Sequence, residues 1–134
     1  MAVKQRVKPN ILVVDDEVEI LKILEKVLTE NGYNVLKAQN GTEALRIARK
    51  NNIKLALLDI KLPKMNGIEL LGRFKKINPD LIVIMVTAFG TLKTAIEAMK
   101  LGAYDYITKP FDLNFIVSIV EQALEEHGAT SLQL

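Results

Sequence analysis

The chain contains no cysteine and no tryptophan, and its one histidine is His127. Without cysteine there can be no disulfide, no thiolate metal site and no cysteine nucleophile. A lone histidine near the C-terminus makes a Ser-His-Asp triad or a multi-histidine zinc site hard to build. A dominant charge is missing too: 18 basic against 16 acidic residues leave a net +2. That balance demands no nucleic-acid partner, despite a sequence pI of about 8.8. Long apolar runs are also absent. The longest, Leu81 to Val86, falls far below the roughly 20 residues of a membrane helix. The first ten positions carry charge but no apolar stretch of the signal-peptide kind. A cytoplasmic protein with no membrane segment is the expectation.

What the chain does have is alternation. Apolar residues make up 49% of 134 positions, enough for one sizeable core in one domain. Ile11-Leu12-Val13-Val14 is a short apolar run closed by two aspartates, the pattern of a strand buried on both faces. Residues 17–31 show helical spacing, with Gly32 as the stop. Tyr33 to Ala38 reads as a second strand. Asn40 and Glu43 form a capping pattern ahead of Ala44, Leu45, Ile47 and Ala48. Leu55 to Leu58 is a third strand, closed by Asp59. A helix follows from Asn66 and Glu69 to Asn78-Pro79. Leu81 to Val86 is a fourth strand, Thr91 to Leu101 a helix closed by Gly102, and Ala103 to Ile107 a fifth strand. Asp112 caps a last helix running to about His127, with Gly128 as its stop.

Five strand-helix pairs in strict alternation argue for an α/β fold, a parallel sheet covered on both faces. The number is too small for an eight-fold barrel, which leaves an open doubly wound sheet. Ligands of such sheets bind at the carboxyl ends of the strands. Those ends carry Asp15-Asp16, Asp59, Thr87 and, after the fifth, Lys109-Pro110. Three carboxylates, a hydroxyl and an ammonium thus converge on one edge. Crowded carboxylates repel one another, and a divalent cation relieves the repulsion. All-oxygen ligation selects a hard ion, Mg²⁺ or Mn²⁺. An aspartate in such a site can attack phosphorus and form an acyl phosphate.

These residues carry a resemblance. Ile-Leu-Val-Val-Asp-Asp-Glu (11–17), Leu-Leu-Asp-Ile-Lys-Leu-Pro-Lys-Met-Asn-Gly (57–67), Val-Thr-Ala (86–88) and Ile-Thr-Lys-Pro-Phe (107–111) resemble the receiver domain of two-component response regulators. Each motif alone is weak; all four in order at successive strand ends are specific. The resemblance covers residues 9–126, leaving an N-terminal extension at 1–8 and a tail at 127–134. It implies the flavodoxin-like receiver fold, a five-stranded parallel sheet in the order 2-1-3-4-5 with five helices. It implies Asp59 as phosphoacceptor, Asp15 and Asp16 as positions for Mg²⁺, and the Lys61 backbone carbonyl as a further metal ligand. Thr87 and Lys109 would bind the phosphoryl group, Tyr106 would switch with Thr87, and the Lys109–Pro110 bond would be cis. Lys61 and Phe89 would tune hydrolysis of the acyl phosphate. A bulky Phe89 shields the group from water, so slower self-dephosphorylation is expected than with an acid or amide there.

Plainer readings exist for each residue. Asp15 and Asp16 could cap the first helix, Asp59 could be a turn residue, and Thr87 a β-branched strand residue. Lys109 could be a solvated lysine and Tyr106 simple packing. Their convergence on one edge favours the site. A haloacid dehalogenase-type phosphatase would need an aspartate where Lys61 stands. A flavodoxin-like cofactor carrier would need a Ser/Thr/Gly-rich loop where Asp15-Asp16-Glu17 would repel phosphate. A degenerate, purely interacting receiver would lack the complete set of site residues.

The resemblance also implies partners. The phosphoryl donor is a sensor histidine kinase or a histidine phosphotransfer protein, since His127 lies outside the core. In the first helix, Ile20, Leu21, Ile23, Leu24, Val27 and Leu28 span about 160°, wider than a sheet-covering stripe requires. Val18 and Ile23 would then be exposed beside the acidic pair, where such donors dock. The last helix is similarly broad through Phe115, Ile116, Val117, Ile119 and Val120. With the fourth helix and fifth strand it would form a signalling face for a downstream target or an activation-dependent homodimer. No direct nucleic-acid contact is expected. Two arrangements stay open: a single-domain regulator acting through protein contacts, or a receiver from a longer DNA-binding or sigma-54-type regulator. The Met1 start and the expected helix stop at Gly128 favour the first.

Overall fold

The computed structural model describes residues 8–132, with side chains to His127. The elements alternate as β1 (Asn10–Val14), α1 (Val18–Glu30), β2 (Asn34–Ala38), α2 (Gly41–Lys50), β3 (Ile53–Leu58), α3 (Gly67–Ile77), β4 (Ile82–Thr87), α4 (Leu92–Lys100), β5 (Asp105–Thr108) and α5 (Leu113–Leu132). The strands form one parallel sheet in the order β2-β1-β3-β4-β5. This is the flavodoxin-like receiver fold expected from the sequence.

Strand periodicity sorts the core into two halves. Ile11, Val13, Leu55, Leu57, Ile82 and Ile84 face α1 and α5, meeting Leu21, Leu24, Leu28, Ile116 and Val120. Leu12, Val14, Ala56, Leu58, Val83 and Met85 face α2, α3 and α4, meeting Leu45, Leu70, Leu71 and Phe74. Central β1, β3 and β4 therefore need apolar residues on both faces, which accounts for their continuous apolar runs. The edge strand β2 is half exposed, and its pattern is correspondingly weaker.

Local signals set most boundaries. Asn40 Oδ1 accepts from Glu43 N at 2.9 Å, and Asn66 Oδ1 from Glu69 N at 2.9 Å. The Glu43 carboxylate reaches back to Gln39 N rather than to Asn40 N. Glu69 pairs forward with Arg73 at 3.1 Å. Gly32 and Gly102 take φ of +92° and +100° just past α1 and α4, the left-handed turn that ends a helix.

Three boundaries differ from expectation by two residues or more. β3 begins at Ile53, because the buried-exposed-buried start Ile53-Lys54-Leu55 precedes its continuous run. β5 begins at Asp105, because Ala103 N is taken by Ala98 O in the turn that closes α4. The third is a correction: α5 does not stop at Gly128 but continues to Leu132. An interior glycine costs a helix only about 1 kcal/mol, and it ends one when the chain turns left-handed there.

Candidate functional site

The carboxyl ends of β1, β3 and β4 place Asp15, Asp59 and Thr87 side by side. The ladder continues past the strands: Asp15 N donates to Ala38 O at 3.1 Å and Asp59 N to Val14 O at 3.0 Å. These bonds carry both aspartates into the interior. Asp15 is 3% exposed, Asp59 2% and Thr87 0%. Buried charge needs a partner, and Lys109 supplies it. Its ammonium donates to Asp15 Oδ2 at 2.6 Å and to Asp59 Oδ2 at 2.9 Å. Lys109 N also donates to Thr87 O at 3.0 Å, holding the start of the following loop to β4. The Lys109–Pro110 peptide is cis.

The remaining lone pairs face backbone donors. Asp15 Oδ1 accepts from Glu17 N at 2.9 Å, and Asp59 Oδ1 from Lys61 N at 3.3 Å. Thr87 Oγ1 accepts from Phe89 N at 3.1 Å. Neither Asp15 nor Asp16 is the N-cap residue of α1. That position is Glu17, whose side chain makes no capping hydrogen bond.

Burial pushes the Asp15 carboxyl above its ordinary pKa, and the Asp59 charge adds to this. The Lys109 and Glu17 hydrogen bonds oppose the rise without cancelling it. Burial alone would pull the Lys109 ammonium down, but its hydrogen bonds to Asp15 and Asp59 and their charges lift it above its ordinary value. The cluster is a strained compromise, with one ammonium serving two buried carboxylates.

Asp16 completes it from the exposed side. Carboxylate oxygens of Asp15, Asp16 and Asp59 all lie within 4.8 Å of one another. Three hard oxygen donors at that spacing fit a small divalent cation of the Mg²⁺ type.

Four features of the site went unanticipated. Glu17 Oε2 lies 3.6 Å from Lys109 Nζ, a third acid on the same ammonium. The Asp-Asp-Glu run was its signal. A Cβ on Gly67 would stand 2.0 Å from the Asp59 carbonyl oxygen, so only glycine lets α3 begin against the end of β3. Lys61 Nζ sits 4.5 Å from the centre of the Phe89 ring, joining the two loops beside Asp59. Tyr106 is half-buried, and its hydroxyl lies 3.1 Å from Thr94 Oγ1.

The family profile for the response regulator receiver domain matches residues 11–121. The chain belongs to that family. Its sequence is 40% identical over 129 residues to the transcriptional regulatory protein ZraR of Salmonella typhimurium, covering 96% of this chain and 29% of that protein. The chain therefore spans less than a third of that relative. Its structure is similar to a CheY-like response regulator receiver domain protein from Methanospirillum hungatei JF-1, with a TM-score of 0.91 and 34% identity. That match covers 92% of this chain and 99% of the other. NtrX from Brucella abortus matches with a TM-score of 0.86 and 35% identity, over 93% of this chain and 29% of NtrX. This is a receiver domain of the two-component response regulator kind. Among the described residues no helix is long and apolar enough to cross a membrane.

Proposed function

We propose that the receiver, residues 9–126, is a phosphoacceptor switch in which Asp59 takes a phosphoryl group from a sensor histidine kinase or a histidine phosphotransfer protein. The observation that carries this is the paired burial of Asp15 and Asp59 on a single ammonium, beside the exposed Asp16. A structural ion pair has no use for two further acids. A site that must accept a cation and a phosphoryl group does.

Asp15, Asp16, Asp59 and the Lys61 carbonyl would hold Mg²⁺ or Mn²⁺. When bound, the ion neutralises phosphoryl oxygens and the excess carboxylate charge. The chain's own residues do the rest. An Asp59 carboxylate oxygen attacks phosphorus, the bond from phosphorus to the donor's histidine nitrogen breaks, and that imidazole keeps the nitrogen lone pair. Lys109 already touches Asp59 and pairs with the phosphoryl oxygens that replace the carboxylate charge. Thr87 sits at the next strand end and turns its hydroxyl to the new group. Tyr106 follows Thr87, so the loop after β4 and strand β5 change together. Phe89, with Lys61 above it, covers the acyl phosphate and slows hydrolysis. The domain thus promotes its own phosphorylation and dephosphorylation and turns over no metabolite.

Donor docking is assigned to the groove of about 530 Å³ lined by Glu17, Ile20, Ile23, Lys109, Pro110 and Phe111. Ile23 is exposed at its α1 side, whereas Val18, also exposed, lines a separate hollow with Leu21, Lys22 and Lys37. Leu92, Ile96, Met99 and Phe115 are exposed on α4 and α5 and form the face for a downstream protein or an activation-dependent homodimer. These contacts are to protein, without direct nucleic-acid binding, in the cytoplasm. The match to under a third of ZraR favours a second reading, a receiver belonging to a longer transcriptional regulator.

Incubation with Mg²⁺ and acetyl phosphate tests the central claim. Intact mass should rise by one phosphoryl group in the wild type and not in Asp59→Asn. No gain in the wild type, or an equal gain in the variant, would overturn it.

A further inference from the structure

Gly90 has no backbone reason to be glycine. The left-handed glycines are Gly32 and Gly102, and Gly90 is not among them. Its reason is space. A Cβ at position 90 would lie 2.1 Å from the Tyr106 hydroxyl oxygen and 2.8 Å from both Cε1 and Cζ of that ring. The ring packs against the core beneath α4, and the loop passes over its phenol end with no room for a methyl group.

The hydroxyl of that ring is bound into the start of α4. Thr91 caps the helix in a reciprocal box: Thr94 N donates to Thr91 Oγ1 at 3.1 Å, and Thr91 N donates to Thr94 Oγ1 at 2.8 Å. Thr94 Oγ1 also lies 3.0 Å from Thr91 O and 3.3 Å from Thr91 Oγ1. Its remaining neighbour is the Tyr106 hydroxyl at 3.1 Å, a hydrogen bond in which either oxygen can donate. Tyr106 is therefore tied to the α4 cap through Thr94.

We propose that Gly90 and Thr94 are positioning residues that together form a seat for Tyr106, so that ring placement on β5 and capping of α4 rise and fall together. Gly90 leaves the space and Thr94 holds the hydroxyl by a hydrogen bond. Gly90 lies three residues beyond Thr87, on the loop that links the phosphoacceptor edge to α4. The seat's role in signalling rests on the proposed function. The coupling itself is a property of the unphosphorylated chain.

The test uses the whole chain labelled with 3-fluorotyrosine, the Tyr106 resonance being assigned by its loss in Tyr106→Phe. Amide hydrogen exchange is read at Thr91, Thr94 and Ala95. Gly90→Ala should move the Tyr106 resonance toward that of free 3-fluorotyrosine and speed exchange about fivefold, as loss of one net hydrogen bond does. Tyr106→Phe should speed exchange equally, because it removes the hydroxyl and keeps the ring. In a Tyr106→Ala background, adding Gly90→Ala should neither speed exchange nor lower the urea midpoint, since the colliding ring is gone. An unmoved resonance in Gly90→Ala would overturn the seat. So would an equal effect of Gly90→Ala with and without the ring. Loss of folding confined to the Tyr106-containing background would support the collision. Phosphoryl uptake is measured separately by intact mass. Its failure would fell the Asp59 assignment and leave the seat untouched.

Discussion

Lys109→Met exposes the energetic logic of the acidic edge. The ammonium is the hydrogen-bonded partner of two carboxylates that are 3% and 2% exposed. Methionine keeps most of the stem and its packing but removes the charge. Breaking a buried pair by deleting one partner costs about 3–5 kcal/mol, because a charge stays buried without compensation. Here two carboxylates lose the same partner, so at neutral pH the upper end applies. One route of escape is open. Asp15 already sits above its ordinary pKa, and removing Lys109 raises it further.

The sign of the pH dependence follows. A carboxyl raised in the folded state contributes stability below its unfolded pKa and loses it as pH rises through the folded value. The variant's deficit should therefore shrink as pH is lowered from about 7 to about 5. The raised Lys109 acts at the other end: its contribution holds below its ordinary pKa and fades only above it. Wild-type stability should thus show no Lys109 step near neutrality. The assay is urea unfolding in EDTA and in Mg²⁺. A ligand at a hundred times its Kd adds about 2.7 kcal/mol, and Mg²⁺ should restore a large part of the variant's loss. A variant in EDTA within about 0.5 kcal/mol of wild type at pH 7, the scatter of an ordinary surface substitution, would refute the reasoning. So would a deficit that grew on acidification.

Other expectations follow from single contacts. Gly67→Ala drives a methyl group into the Asp59 carbonyl and should cost about 3 kcal/mol, the upper end for overpacking, because backbone cannot step aside; thermal unfolding checks it. Phe89→Glu removes the proposed shield and the ring under Lys61, and should shorten the phosphoryl half-life by roughly threefold to tenfold, the range set by losing about 1 kcal/mol of cover; an unchanged half-life would sink the shielding idea. Phe74→Ala empties a fully buried site between α3 and the sheet and should cost about 3–5 kcal/mol with phosphoryl uptake retained wherever the variant is folded.

How much of this was legible in the chain depended on the range of the interaction. The continuous runs at Ile11–Val14 and Leu55–Leu58 announced strands covered on both sides, and the structure covers them. Asp15, Asp59, Thr87 and Lys109 could be gathered because a parallel sheet brings its strand ends to one edge. That step needs topology and no side-chain geometry. Gly32 and Gly102 were readable as helix stops, whereas Gly128 was misread. The difference lies in φ. Glycine permits a left-handed turn but does not require one, and nothing next to Gly128 in the sequence tells which occurs.

The features that escaped share one physical origin. Lys61 over Phe89, Gly67 at the start of α3 against the Asp59 carbonyl and Gly90 against Tyr106 on β5 are contacts made by loops and element ends. Periodicity describes one element against the core and is silent about such contacts. The α4 cap shows the same limit from the other side. A Thr91–Thr94 pair reads weakly as a capping box, because threonine replaces the usual acid or amide at the third position. The substitution has a consequence only three-dimensional placement reveals. A glutamate there would meet the Tyr106 phenol with a charged, longer arm, whereas the short Thr94 hydroxyl hydrogen-bonds to it at 3.1 Å. The residue that weakens the local signal is the one that ties helix α4 to strand β5.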